Sequence, residues 1–449
     1  MKSFITYLLL LISASVAAET PNVVLILCDD LGYNDPSIYG SKLNKTPHID
    51  SIGHEGLMLS DFYSPYSVCS ASRASLLTGS YAPRLSMPGV IRPKSNIALH
   101  PDEITLGDLF KSKGYKTSYV GKWHVGDHVE TLPTAQGFDS YYGIPYSNDM
   151  NRDKKTYGST VPKNLDDEWI KKDYKRYHTE LYRDLEVIES PVNQVTLTDR
   201  YTDETIRFIE ENKQSPFFTC LAFSMPHIPL YVSDKFYNPD PKMAYNAMMN
   251  HLDYSVGRVL TRLKELELDN NTIVIFTSDN GPWLSKSHHG GNALPLKSGK
   301  RTTYEGGQRV PFLIKWPKRI PASSLNKNIF SSIDLFPTFA ELLNYSIPTD
   351  KPIDGHSFIG LFDDPNSSSI YKEKGYYFIN KGTQAVRMGK WKFRYVKNKE
   401  ELYDLETDIA ETKNLADQNP ERVDQFKKML KSFTQKMKNE ARQPWKAKK

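Results

Sequence analysis

Short apolar runs alternate with longer amphipathic stretches over most of the 449 residues. The first run, Asn22–Cys28, is continuous and β-branched, the mark of a strand buried on both faces of a parallel sheet. Lys116–Val120, Phe217–Phe223, Asn271–Ser278 and Val310–Trp316 are read as further strands. Helices are expected from Glu103 to Lys113, from Asp199 to Asn212 and, long and amphipathic, from Tyr245 to Leu268. This alternation predicts an α/β fold: a mainly parallel sheet sandwiched by helices, with polar residues gathered at its carboxyl edge. From about Ile370 the pattern changes. Tyr376–Ile379, Ala385–Met388 and Trp391–Tyr395 read as short strands joined by glycine-containing turns, and Glu401–Leu405 closes the set. Pro420 then opens a helix with Val423, Phe426, Leu430, Phe433 and Met437 on one face. The expected organisation is a large domain over residues 19–369 and a small C-terminal α+β subdomain over residues 370–449.

The ends of the chain add a location. Met1-Lys2-Ser3, an apolar stretch from Phe4 to Ile12 and Ser15-Val16-Ala17-Ala18 make residues 1–18 a secretory signal peptide. Nothing downstream is apolar for long enough to span a bilayer, so a secreted or periplasmic protein free of the membrane is expected. A formal charge of +5 is small for this length, and no nucleic-acid motif accompanies it. Three cysteines, Cys28, Cys69 and Cys220, are too few for a disulfide framework. Cys28 and Cys220 read as small buried hydrophobes in strands, with a bridge between them left open.

Two predicted strands end in oxygen donors. Asp29-Asp30 follows the first run and Asp279-Asn280 follows the run from Asn271, where open α/β sheets place their ligands. Adjacent carboxylates repel unless a cation holds them, whereas a helix cap needs only one of the pair. Hard oxygen donors suit Ca²⁺ or Mg²⁺, so one shared cation site is expected. In Ser67–Gly79, Cys69 and Arg73 stand one helical turn apart. A helix start there offers free N–H groups, a positive dipole end and a guanidinium to an anion beside residue 69. Lys122 and His124 lie between Gly121 and Gly126, on one side of the chain if the preceding strand continues. His227 sits in a proline-rich loop after the Cys220 strand. His288-His289 lacks a third ligand at metal spacing, so no zinc site is expected. Residues 150–197, polar and Tyr-rich, read as an insertion over the site.

Cys69-Ser70-Ala71-Ser72-Arg73, followed by Leu76-Leu77-Thr78-Gly79, resembles the signature of the type I sulfatases, with Ala71 where many members have proline. Gly121-Lys122-Trp123-His124-Val125-Gly126 and the string from Gly299-Lys300 to Glu305-Gly306-Gly307 resemble further elements of that family, in its order. The resemblance covers nearly the whole chain from Asn22. It implies the alkaline-phosphatase-like fold and an arylsulfatase A-like or carbohydrate sulfatase. It implies that Asp29, Asp30, Asp279 and Asn280 bind a divalent cation, Ca²⁺ by family precedent, with Mg²⁺ as the alternative. Cys69 would be oxidised to Cα-formylglycine (3-oxoalanine) by a formylglycine-generating or sulfatase-maturating enzyme and would complete the metal shell. Its hydrate would attack sulfur and leave a sulfated enzyme. Arg73, Lys122 and Lys300 would neutralise the sulfate oxygens, and His124 would assist the release of sulfate. His227 with Lys300 would serve the leaving-group oxygen, and Ser147 would hydrogen-bond near the sulfate. A sulfated carbohydrate suits an exported enzyme with a Tyr-rich insertion, because aromatic rings stack on sugar faces. A phosphonate or phosphate ester hydrolase on the same scaffold, and a non-catalytic sulfated-glycan-binding protein, stay open as alternatives.

Overall fold

The computed structural model of the protein describes residues 20–158 and 164–447; the signal peptide expected over residues 1–18 lies outside them. The first half of the chain forms β1 (Asn22–Cys28), α1 (Pro47–His54), β2 (Leu57–Tyr63), α2 (Cys69–Thr78), β3 (Ile97–Ala98), α3 (Leu106–Ser112), β4 (Lys116–Gly121) and β5 (Ser140–Gly143). Next come α4 (Lys154–Tyr157), α5 (Leu165–Lys171), β6 (Leu181–Arg183), β7 (Glu186–Glu189), α6 (Leu197–Glu211), β8 (Phe217–Ala222), α7 (Ala244–Glu265) and β9 (Thr272–Ser278). After these follow α8 (Glu305–Gln308), β10 (Phe312–Lys315), β11 (Ser324–Ser331), α9 (Leu335–Leu342) and α10 (Tyr371–Lys374). The chain closes with β12 (Tyr376–Ile379), β13 (Thr383–Met388), β14 (Trp391–Val396), β15 (Lys399–Asp404), α11 (Pro420–Asn439) and β16 (Trp445–Lys446).

A ten-stranded sheet runs through the large domain in the order β11-β2-β10-β9-β1-β8-β4-β5-β6-β7. The middle five, β9-β1-β8-β4-β5, are parallel, and every residue of β1, β8 and β9 is buried. That double-sided burial explains why these strands are apolar without alternation. Val23, Leu25 and Leu27 of β1 face a core shared with α2, α3 and α9, while Val24, Ile26 and Cys28 face one shared with α1, α6 and α7. Cys28 and Cys220 are both free and fall on these opposite faces, so no bridge joins them. The expected α/β architecture is observed, with antiparallel strands added at both edges of the sheet.

The aromatics of region 150–197 depart from their expected part. The region's β6–β7 hairpin extends the sheet past β5, and Trp169, Tyr177, Leu181 and Tyr182 are buried in the core. These aromatics pack the protein and offer no face to a sugar. Tyr157 is exposed, but its ring stacks on His178 with centroids 3.7 Å apart.

Past residue 370, β12–β15 form an antiparallel sheet. On it packs α11, through Val423, Phe426 and Leu430 against Val386, Phe393 and Leu402. The tail then returns to the large domain, where β16 pairs with β3 and Arg442 bonds Glu103. No helix among the described residues is long and apolar enough to cross a membrane.

Candidate active site

The carboxyl ends of the parallel strands hold the polar residues. β1 delivers Asp29 and Asp30, β9 delivers Asp279 and Asn280, and β4 delivers Lys122; the loop after β5 brings Ser147 and the loop after β8 brings His227. Cys69 is the first residue of α2, a helix whose ten residues are all buried and which ends at Gly79 in the left-handed conformation. β4 stops at Gly121, whose φ is 112° and where a Cβ would lie 1.8 Å from the Ala222 carbonyl oxygen. The strand therefore does not continue through Lys122 and His124, and the condition for their sharing one side is not met. Lys122 turns inward to Asp29 and Ser147, while His124, at φ 65°, sends Nε2 to the Ile91 carbonyl at 3.0 Å.

Ligand atoms of Asp29, Asp30, Cys69 and Asp279 all lie within 4.8 Å of one another. Cys69 Sγ is 3.2 Å from Asp29 Oδ1 and 3.8 Å from Asp30 Oδ1. Three buried cations surround the three carboxylates. Lys122 Nζ pairs with Asp29, Lys300 Nζ is 2.7 Å from Asp30 Oδ2 and 3.5 Å from Cys69 Sγ, and Arg73 Nε is 2.8 Å from Asp279 Oδ2. Asn280 Nδ2 donates to Asp30 Oδ1 at 2.7 Å and to the Gly281 carbonyl at 2.9 Å, which leaves Asn280 Oδ1 buried without a hydrogen-bond partner. A buried acceptor with no donor needs a cause. Three carboxylates and an orphaned amide oxygen are the donor set of a hard divalent cation, and these residues fit one.

Burial works to raise the Asp29 carboxyl, but Lys122, His227, Arg73 and Lys300 outweigh it and hold Asp29 well below the usual carboxylate range. Asp279 is pushed up to about 6 by burial and by the Asp29 charge. Burial and Asp29 drive the Cys69 thiol well up. His124 is held well below the ordinary imidazole value by burial, Lys122 and Arg73, and its buried Nδ1 has no partner, so it presents a neutral acceptor. His227 Nδ1 faces the Ile228 carbonyl at 2.6 Å and Asn148 Oδ1 at 3.2 Å. Two acceptors there assign the proton to Nδ1 and point Nε2 towards Ser147 Oγ at 3.5 Å and Asp30 Oδ2 at 3.7 Å.

A cavity of about 470 Å³ opens over this cluster. Cys69, His124, Ser147, His227 and Lys300 line it, whereas Arg73, Lys122 and the carboxylates lie beneath. Of the three cations, Lys300 alone reaches the lining, and Arg73 and Lys122 brace the acids from behind.

The family model described as Sulfatase matches residues 21–345. The chain belongs to the sulfatase family. A second model, N-sulphoglucosamine sulphohydrolase, C-terminal, matches residues 298–443. Arylsulfatase G of Rattus norvegicus is 31% identical over 450 residues, covering 91% of this chain and 85% of that protein. N-acetylgalactosamine-6-sulfatase of Canis lupus familiaris is 33% identical over 404 residues, covering 86% and 73%. The crystal structure of Ps i-CgsB in complex with k-i-k-neocarrahexaose superposes with a TM-score of 0.79 at 30% identity, covering 93% of each chain. The protein is a sulfuric ester hydrolase.

Two residues of this sulfatase's site were missed in the sequence. Asn148 fixes the His227 ring, and its only signal was a place beside Ser147. Trp283 lines the cavity, with Lys300 Nζ 4.7 Å and Arg301 Cζ 4.8 Å from its ring centroid. It follows Asp279-Asn280 by three residues in an irregular loop, where no periodicity marks a side chain's direction. The expectation that His288-His289 lacks a third partner is corrected. Asp166 Oδ1, from α5, stands 2.8 Å from Nε2 of both rings and clamps region 150–197 to the loop after Asn280.

Proposed function

We propose that the sulfatase removes sulfate from a sulfated carbohydrate outside the cytoplasm, using a formylglycine made from Cys69 and a Ca²⁺ ion. The observation that carries the reading is the position of Cys69. It ends a buried shell of three carboxylates and three cations on one side and lines an open cavity on the other. Asp29, Asp30, Asp279 and Asn280 would hold the cation, Mg²⁺ being the alternative, and the ion would draw charge from the sulfate oxygens when bound. Formylglycine, made by a dedicated maturating enzyme that supplies the oxidant, would bring two hydroxyls as its hydrate, one to attack sulfur and one to release sulfate.

The remaining work falls to the chain's own groups. Lys300 faces both Asp30 and Cys69, so its ammonium sits where sulfate oxygens gather charge and where a leaving alkoxide needs a proton. His227 Nε2 and Ser147 Oγ share that side of the cavity and orient the ester. His124 Nδ1 is the acceptor that takes a proton when sulfate is released. Arg73 and Lys122 keep the acids aligned.

The carbohydrate follows from the relatives, one named for N-acetylgalactosamine-6-sulfate and one solved with k-i-k-neocarrahexaose. The signal-like sequence of residues 1–18 supports export. The test is sulfate release from a panel of sulfated saccharides, with an aryl phosphate beside it. Sulfate release lost on chelation and restored by Ca²⁺ is expected; faster turnover of the phosphate would favour a phosphoester hydrolase.

A further inference from the structure

The cavity over Cys69 is lined by five cationic residues, Arg92, Arg152, Lys154, Lys300 and Arg301, and one carboxylate, Asp149. Two of the five have their charge engaged: Lys300 by Asp30, and Arg152 by an ion pair with Glu180. Arg92, Lys154 and Arg301 are exposed and have no carboxylate partner among the described residues. They come from three separate segments, so they are not one solvated helix face.

Arg92 and Arg301 are tied to the reacting centre, and Lys154 lines the same cavity. Ile91, next to Arg92, donates its N–H to Ser70 Oγ of α2 at 2.9 Å and accepts the His124 ring on its carbonyl. Lys154 opens α4, whose cap is Asp153, and Asn151 and Gly158 on either side of it also line the cavity. Arg301 follows Lys300 directly. Its backbone holds a φ of 70°, its N–H bonds the Ser67 carbonyl at 2.9 Å, and the Arg301 carbonyl accepts from Asn380 Nδ2. Its guanidinium lies over Trp283, the ring that Lys300 also meets. A non-glycine residue in the left-handed region, pinned at both ends, carries strain that the surroundings enforce, and here it fixes a cation at the rim.

We propose that Arg92, Lys154 and Arg301 form a second anion subsite, which takes another anionic group of the same saccharide while its scissile sulfate ester lies at Cys69. This rests on the carbohydrate-sulfatase reading above. Because Arg301 is adjacent to Lys300, the second anion lies on the same sugar as the scissile ester or on its neighbour. A sulfate or a carboxylate supplies the same recognition to a guanidinium fork.

The test compares kcat/KM of the Ca²⁺-loaded enzyme on three matched oligosaccharides: one with a single sulfate, one with a second sulfate, and one with a sulfate beside a uronic carboxylate. A small aryl monosulfate serves as a separate report on the reacting centre. The dianionic saccharides should be preferred by about tenfold or more at low salt, the size expected for one charge-assisted contact. The preference should shrink as salt is raised and approach unity in the Arg92→Gln/Arg301→Gln double variant. Whichever dianionic substrate leads identifies the second group as sulfate or carboxylate. Equal kcat/KM on all three saccharides, or a preference unchanged in the double variant, would overturn the subsite alone. Turnover of the aryl sulfate with none of the saccharides would overturn the carbohydrate reading, and the subsite with it.

Discussion

Asn280 shows at the scale of one residue how the site is constrained. Its amide nitrogen is committed to Asp30 and Gly281, so its oxygen is free to meet only a cation or a solvent molecule. Replacing Asn280 with Leu removes that donor and should weaken Ca²⁺ roughly 10- to 100-fold, the range seen when a metal site loses a supporting group. The rise in melting temperature on Ca²⁺ titration measures it; the wild-type concentration dependence in the variant would contradict the assignment. Asp29-Asp30 and Asp279-Asn280 could be read from sequence because buried strands leave few places for charge. Asn148, Trp283 and Arg301 could not, because their roles depend on loops that meet only after the sheet has formed. The direction of Lys122 was open for a similar reason: the two-residue period holds only while a strand lasts, and β4 ends one residue before it.

Among the elements, β4 and β8 set the aim of the site through a close approach. A Cβ at position 121 would lie 1.8 Å from the Ala222 carbonyl oxygen, and the φ of 112° is one that side chains rarely adopt. Gly121→Ala should therefore cost at least about 3 kcal/mol of stability, and chemical denaturation would measure it. A loss within about 0.5 kcal/mol, the range of an innocuous surface change, would contradict this close packing. The start of α9 carries a titrating group. Burial pushes the Asp334 carboxyl up to about 7, although Tyr371 OH and the N–H groups of His356 and Ser331 pull it down. The folded state thus binds this proton more tightly than the unfolded chain, so the stability from Asp334 is full below its ordinary carboxylate value and is lost as pH rises towards 7. Asp334→Asn should flatten the dependence of the unfolding free energy on pH across that window, and an unchanged slope would refute the shift. The apolar strands and the face of α11 were legible as periodicity. The burial of Tyr177 and Tyr182 was not, because a polar, Tyr-rich segment carries no period to show that it continues the sheet.

The whole molecule is joined at Glu305, in the string that resembled a sulfatase element. Its carboxylate does not enter the cavity. It accepts from Tyr63 OH at 2.5 Å, from Arg309 Nη1 at 3.2 Å and from Lys392 Nζ at 2.9 Å, while its N–H donates to Glu411 at 2.7 Å. Lys392 belongs to β14 of the C-terminal subdomain, so a buried ion network fastens that subdomain to the segment carrying Lys300. Burial and Lys392 oppose each other at Glu305, and with Arg387 and Arg309 the cations win, holding it down to about 2. Lys392→Met leaves Glu305 and Glu411 without their shared cation and should cost about 3–5 kcal/mol, readable by calorimetry. A variant as stable as wild type would show that the subdomain is held by its apolar contacts alone. This long-range pairing spans 87 residues, which is why the sequence suggested a second unit but not its fastening.

In the proposed mechanism turnover requires Cys69 in oxidised form, and peptide mass spectrometry across residue 69 of active, natively produced protein reads that form. A residue about 18 Da lighter than cysteine, or its hydrate, is expected in a fraction that rises and falls with specific activity. Full sulfate-releasing activity from protein carrying only the unmodified thiol would contradict it.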